Sequence, residues 1–192
     1  MSRPQSSTKP RTAITDAAVK LFSEHGYTGT TMRDIAEEVG VLAGSLYAHI
    51  DSKETLLVEI VEGGIQEFLA IERLLEQSTE PPEARLRIAI AEHMRVVAAS
   101  PKRMLVVFHQ WRFLSEPNRA RAVVMRRRYA QNFSKIIEAG KASGDFDPQL
   151  DTRVAVLGIL GALNWVPEWY SPEGPMGAEE LGQKFAQTLI SG

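Results

Sequence analysis

The sequence predicts an all-α protein, and three observations carry the prediction. Apolar residues recur at three- and four-residue spacing through almost every segment, which is the period of a helix rather than a strand. Caps, glycines and Ser-Pro or Pro-Pro steps divide those segments at regular intervals. The sequence contains no strand-rich region and no internal repeat. About nine helices account for the pattern.

Residues 1–9 read as a flexible arm. Ile14, Ala17, Ala18, Leu21 and Phe22 then form one face of an amphipathic helix that His25-Gly26 ends. Thr31-Met-Arg-Asp34 is a cap signature, in which a hydroxyl and a carboxylate three residues on satisfy free N–H groups. Ile35, Ala36 and Val39 follow at helical spacing, and Gly40 stops that helix where a left-handed residue is needed. A second short helix covers roughly 43–50, with Leu46 and Ile50 inward and Ser45, Tyr47 and His49 mostly outward. Asp51 or Ser52 caps a long helix whose inner residues run from Leu56 to Leu75, and Pro81-Pro82 closes the first half.

The second half stays helical. Leu86, Ala89, Ile90, His93 and Val97 share one face. Ser100-Pro101 reads as a cap followed by proline at the first helical position. The run after it, MLVVFHQWRFL, has the composition of a buried strand, but the cap and its helical neighbours favour a buried helix. Pro117 opens the next helix, lined inward by Ala122, Met125, Tyr129, Phe133 and Ile136, and GDFDPQLD ends it. A helix from about Thr152 reaches Trp165, Pro167 disturbs its end, and a last helix carries Leu181, Phe185 and Leu189 inward.

With 192 residues, 44% of them hydrophobic, the chain suits one domain or two small ones. The absence of cysteine excludes disulfides, thiolate chemistry and zinc-finger DNA binding. No segment approaches the ~18–20 uncharged apolar residues of a membrane span. The N-terminus lacks the apolar core of a secretory signal, so a cytoplasmic location and no membrane partner are expected. A net charge of −2 is low for a nonspecific nucleic-acid binder, although residues 1–33 carry five cations against two acids. The four histidines are scattered without metal-ligand spacing, and no nucleophile, phosphate-loop or dinucleotide motif occurs, so neither metal, cofactor nor catalytic residues are assigned. His93 reads as a packed core or pocket-wall histidine.

Helix, glycine turn and short helix over 31–50 make a helix-turn-helix, whose second helix is sized for the DNA major groove. Its chemistry fits that use. Arg33 and Lys53 can neutralise phosphates, while Thr31 and Tyr47 can donate neutral hydrogen bonds to them. Ser45 can meet a base edge or phosphate, with His49 one turn later. Ala43 and Gly44 keep the start of the helix slim, so the backbone can approach the groove. The competing reading makes Tyr47 a packing residue and Lys53 a solvated charge.

The stretches AAVKLFSEHGYTGTTMRDIAEEVGV and GSLYAHIDSKETLL resemble the DNA-binding domain of TetR-family transcriptional regulators. Gly26, Thr31, Ile35, Ala36, Gly40, Val41, Leu46, Tyr47 and Lys53 carry the resemblance. It implies a DNA-binding domain over 8–53 and a ligand-binding and dimerisation domain over 54–192, joined through a connecting helix at 54–76. It also implies a homodimer whose last two helices form a four-helix interface, and an internal pocket whose ligand swings the heads apart and releases operator DNA. Leu42 departs from the pattern, because relatives often have serine or threonine there; the lost cap costs about 1 kcal/mol.

Pocket candidates are Phe108, Trp111, Phe113, Tyr129, Phe133, Trp165 and Trp169, against the alternative that aromatic residues at this spacing are plain core. Asn164 beside Trp165 and Gly161 one turn earlier suggest a slot for a flat or elongated ligand. NWVPEWYSPEGP resembles the C-terminal region of regulators of fatty-acid, aromatic or steroid catabolism, some of which sense acyl-CoA thioesters. Arg112, Arg126, Arg127 and Arg128 then meet ligand phosphates, or else form a solvated basic face. Gly63-Gly64 inside the connecting helix is either a flexible joint or a site of close packing. The alternative functions are a helical small-molecule-binding protein with a non-functional helix-turn-helix and, more remotely, an all-helical enzyme.

Overall fold

The computed structural model describes residues 11–191, so the arm expected at 1–9 lies outside the described residues. These residues form nine α-helices and no strand. The head consists of α1 (Arg11–Gly29), α2 (Met32–Val39) and α3 (Ala43–Leu46). The long α4 (Lys53–Gln77) leads into α5 (Pro82–Ala99), α6 (Pro101–His109) and a 3-10 turn at Trp111–Phe113. α7 (Glu116–Ser143), α8 (Thr152–Trp165), a 3-10 turn at Val166–Glu168 and α9 (Ala178–Ser191) complete the chain. No helix among the described residues is long and apolar enough to cross a membrane.

Local chemistry sets most boundaries. The α2 capping box is complete: Asp34 N donates to Thr31 Oγ1 at 3.2 Å, and Thr31 N donates to Asp34 Oδ2 at 2.8 Å. Gly40 ends the helix at φ 76°. Ser52, rather than Asp51, caps α4, accepting from Thr55 N at 3.1 Å. Asp151 caps α8 through Val154 N at 3.0 Å. Two expectations are corrected. Ser100 makes no side-chain cap to α6, which begins instead on Pro101. The reading helix is shorter than 43–50, because the chain tightens at Leu46, whose carbonyl accepts from both His49 N and Ile50 N.

α1 breaks at Gly26, whose φ of 76° and ψ of 161° are open to glycine and strained for other residues. The chain then rejoins a turn to Gly29, so the helix proper stops where His25-Gly26 predicts. α1 packs on α2, α4 and α6, while α4 lies against α5, α6 and α7. α5 is sandwiched between α7 and α9. One continuous core runs from Ile14 and Phe22 in the head through Leu57 and Ile60 to Met94, Phe133 and Leu163.

The paired glycines of α4 have different roles. Gly64 is buried, and a Cβ there would lie 2.4 Å from Val107 Cγ2 on α6. At Gly63 the nearest atom is Arg103 Nη2 at 2.7 Å, the movable tip of a long side chain. Close helix packing therefore explains Gly64. Gly64→Ala is expected to destabilise the protein by about 1–2 kcal/mol through overpacking, while Gly63→Ala stays within about 0.5 kcal/mol. Urea unfolding of the two variants checks the difference.

Candidate functional site

The surface formed by α2, α3 and the turn after it holds the residues expected to meet DNA. Thr31, Arg33, Gly44, Ser45, Tyr47 and His49 are exposed, and Ala43 is half-buried at the start of α3. Tyr47 is 56% exposed, which argues against a packing role. Leu42 is 81% exposed and its side chain supplies no cap to α3. Two cations stand behind this surface. Arg11 Nη1 donates to His49 O at 2.8 Å and pairs with Glu59, holding the end of the reading turn against α4.

Lys53 is the second of them, and the structure gives it a role that its sequence position did not show. Its Nζ donates to Tyr27 O at 2.7 Å and Thr30 O at 2.6 Å, and lies 4.2 Å from the Tyr27 ring centroid. Desolvation pulls the ammonium below its ordinary pKa, partly opposed by Asp34. Two of its three N–H groups thus satisfy carbonyls at the end of α1 and in the turn after it, and one is left without a hydrogen bond among the described residues.

A cavity of about 380 Å³ lies between α4, α5, α6, α7 and α8. It gathers three of the seven aromatic candidates, Phe108, Trp111 and Tyr129, together with Arg126 and Arg127, while Phe113 lies outside the wall. Phe133 is fully buried outside the wall, edge-on to Tyr129 at 5.4 Å, and is core. Trp165 points outward at 59% exposure, because α8 turns Leu157, Leu160, Gly161 and Asn164 toward the cavity. Trp169 stacks on Phe185 at 6.3 Å, and Arg112 is exposed beside the site rather than in its wall. Arg128 is engaged with Glu72 at 2.7 Å.

The polar part of the wall is sparse. His93 Nδ1 lies 3.0 Å from Tyr129 Oη, and burial pushes the imidazole down to a pKa of about 3, so it is neutral. Arg126 sits 5.1 Å over the Trp111 ring. Burial lowers its pKa, and the nearby charge of Arg112 lowers it further. Arg112, Arg126 and Arg127 have no carboxylate partner among the described residues, which also hold no cluster suited to a metal ion.

The segment that walls the cavity also grips the head. Phe108 and Trp111 face the cavity. Between them, Gln110 Oε1 accepts from Tyr27 N at 3.0 Å, the amide left free by the kink at Gly26. Phe113 stacks on Tyr27 at 6.1 Å. Glu54 of α4 accepts from Ser115 N at 2.9 Å and Asn118 Nδ2 at 2.7 Å, and Lys102 pairs with Glu24 at 2.6 Å. Sequence reasoning missed Gln110 and Arg11, since neither lies in a recognisable pattern and both act on distant backbone. Elsewhere on the surface, Val154 and Trp165 lie exposed on the outer side of α8, with Leu157 exposed at the rim of the cavity.

Lys53→Met is expected to lose about 2 kcal/mol of stability, since two buried-side carbonyls lose a charged donor. Tyr47→Phe should leave the unfolding midpoint in place while weakening operator binding about fivefold. Thermal melts and DNA-binding titrations separate the two; a stability-neutral Lys53→Met removes its assigned structural role.

Residues 14–60 match the family described as bacterial regulatory proteins, tetR family, and residues 79–192 match the tetracyclin repressor-like C-terminal domain. The HTH-type transcriptional repressor KstR2 of Rhodococcus jostii is 29% identical over 192 residues, spanning 95% of this chain and 90% of that protein. The structure of the ketosteroid transcriptional regulator KstR2 of Mycobacterium tuberculosis is similar with a TM-score of 0.89 at 26% identity, covering 94% of this chain and 93% of that one. AibR, solved in complex with isovaleryl coenzyme A and operator DNA, has a TM-score of 0.82 at 25% identity, covering 93% and 97%. With a helix-turn-helix, an apolar-walled cavity and matches along nearly its whole length, the chain belongs to the TetR family of ligand-responsive, DNA-binding transcriptional regulators.

Proposed function

We propose that this protein is a cytoplasmic homodimeric repressor that leaves its operator when an acyl-CoA, or a hydrophobic anion like it, fills the cavity. The observation that carries the reading is the pairing of an apolar cavity with Arg126 and Arg127, which have no acidic partner among the described residues. An acyl chain fits the apolar wall, and guanidinium groups suit the phosphates of the nucleotide head. The repressor named among its relatives and the neighbour bound to isovaleryl coenzyme A support the same reading.

The reading head over 8–53 then acts through Thr31, Arg33, Lys53 and Tyr47 on phosphates, with Ser45 and His49 nearer the base edges and Ala43 and Gly44 allowing close approach. The domain over 54–192 carries the sensor and the dimer face. A ligand in the cavity presses on Phe108 and Trp111, and the segment between them bears Gln110, the anchor of Tyr27. A shift there re-aims α1 and, with it, the reading helix. The ligand drives this only to the extent that it binds the released arrangement more tightly.

Decanoyl-CoA serves as the test ligand. It is expected to bind by calorimetry and to release an operator selected from random duplex DNA. Arg126→Ala should weaken its binding about tenfold without altering operator affinity in its absence. Operator binding unaffected by saturating decanoyl-CoA and by shorter acyl-CoAs overturns the reading. For the dimer face, Val154→Glu, at a position 64% exposed on α8, should shift the protein to monomer in sedimentation and cut operator affinity about 100-fold.

A further inference from the structure

The deepest part of the cavity carries a polar group that the effector reading does not use. His93 is 1% exposed and Tyr129 is 7% exposed, whereas Arg127 and Leu157 of the same wall reach solvent. Around His93 the surroundings are aromatic: its ring lies 4.5 Å from Phe68 and 6.1 Å from Phe108, and Phe68 lies 5.3 Å from Tyr129. Among the described residues His93 Nε2 has no hydrogen-bond partner, and the only side-chain bond of Tyr129 is the one to His93 Nδ1.

Counting hydrogens shows what the pair can accept. A neutral imidazole has one N–H and the phenol one O–H, and only one of these two hydrogens lies between them. When Tyr129 donates to Nδ1, the free hydrogen is on Nε2. When Nδ1 donates to Tyr129, the free hydrogen is on the phenol. Either tautomer leaves one buried donor unused, and a hydrocarbon placed against it would leave it so.

We propose that the physiological effector carries an oxygen acceptor, a ketone or a hydroxyl, at its buried end, and that the His93–Tyr129 pair holds it. The proposal rests on the effector reading above, since it takes the arginines to mark the head of the ligand. A ketone fits both tautomers, as it requires only one donor. A plain saturated chain fills the same volume but strands the donor. The effector is thereby an oxygenated acyl compound, such as a partly oxidised catabolic intermediate, rather than a simple fatty acyl thioester.

The test compares decanoyl-CoA with the same thioester bearing a ketone next to its terminal methyl, by calorimetry on the full-length protein. The ketone is expected to bind about tenfold tighter. His93→Leu should erase that difference by raising affinity for the plain chain and lowering it for the ketone, while His93→Gln, which keeps a donor, should restore much of it. Equal binding of both thioesters to the wild-type protein, the result expected if a water occupies the donor, overturns the proposal while the acyl-CoA reading stands. Binding of neither overturns both. The wild-type comparison decides even if the variants fail to fold.

Discussion

The break in α1 at Gly26 is the constraint around which the molecule is organised. A helix interrupted inside the protein frees N–H and C=O groups that must find other partners. Here each partner comes from a different element. Lys53 at the start of α4 takes the carbonyls of Tyr27 and Thr30, and Gln110 after α6 takes the Tyr27 amide. Thr30, itself buried, donates its hydroxyl toward Gly26 O at 2.9 Å. The end of α1, the start of α4 and the segment after α6 thus meet at one short stretch of backbone. Displacing any of them leaves a part-buried polar group unsatisfied, which favours their moving together.

That arrangement gives the cavity leverage. Its wall is mostly apolar, and apolar contacts alone would tolerate many small readjustments. The segment from Val107 to Phe113 is short, however, and its two faces serve different purposes: Phe108 and Trp111 toward the ligand, Gln110 and Phe113 toward Tyr27. The tight seat of Gly64 against Val107 limits how far this segment slides along α4. On the proposed reading, a change in the wall is therefore passed to the head instead of being absorbed.

The sequence made local features legible and distant ones opaque. The Thr31–Asp34 capping box, the Gly40 stop and the uncapped start at Leu42 depend on residues a turn apart, and each stands where the spacing predicts. The fold followed from the same kind of information. Of the seven aromatic candidates only Phe108, Trp111 and Tyr129 line the cavity, joined there by His93, Arg126, Arg127, Gly161 and Asn164, because helical spacing gives a face but not its neighbour. Phe133 belongs to core and Trp165 to the outer side of α8, one residue around from Asn164. Lys53 looked like a surface charge because the carbonyls it satisfies lie more than twenty residues earlier, at Tyr27 and Thr30.

On the proposed reading, the anchor between Gln110 and Tyr27 also sets how the protein measures its effector. If occupancy of the cavity weakens the grip on DNA, thermodynamic reciprocity requires DNA to weaken the grip on the effector by the same factor. Protein seated on an operator and protein free in solution then have different detection thresholds. The molecules that matter for gene expression are the less sensitive ones, while the unbound pool fills first. Cellular response therefore depends on how much regulator is present as well as on effector level, and the strength of one amide hydrogen bond helps to set the gap between the two thresholds.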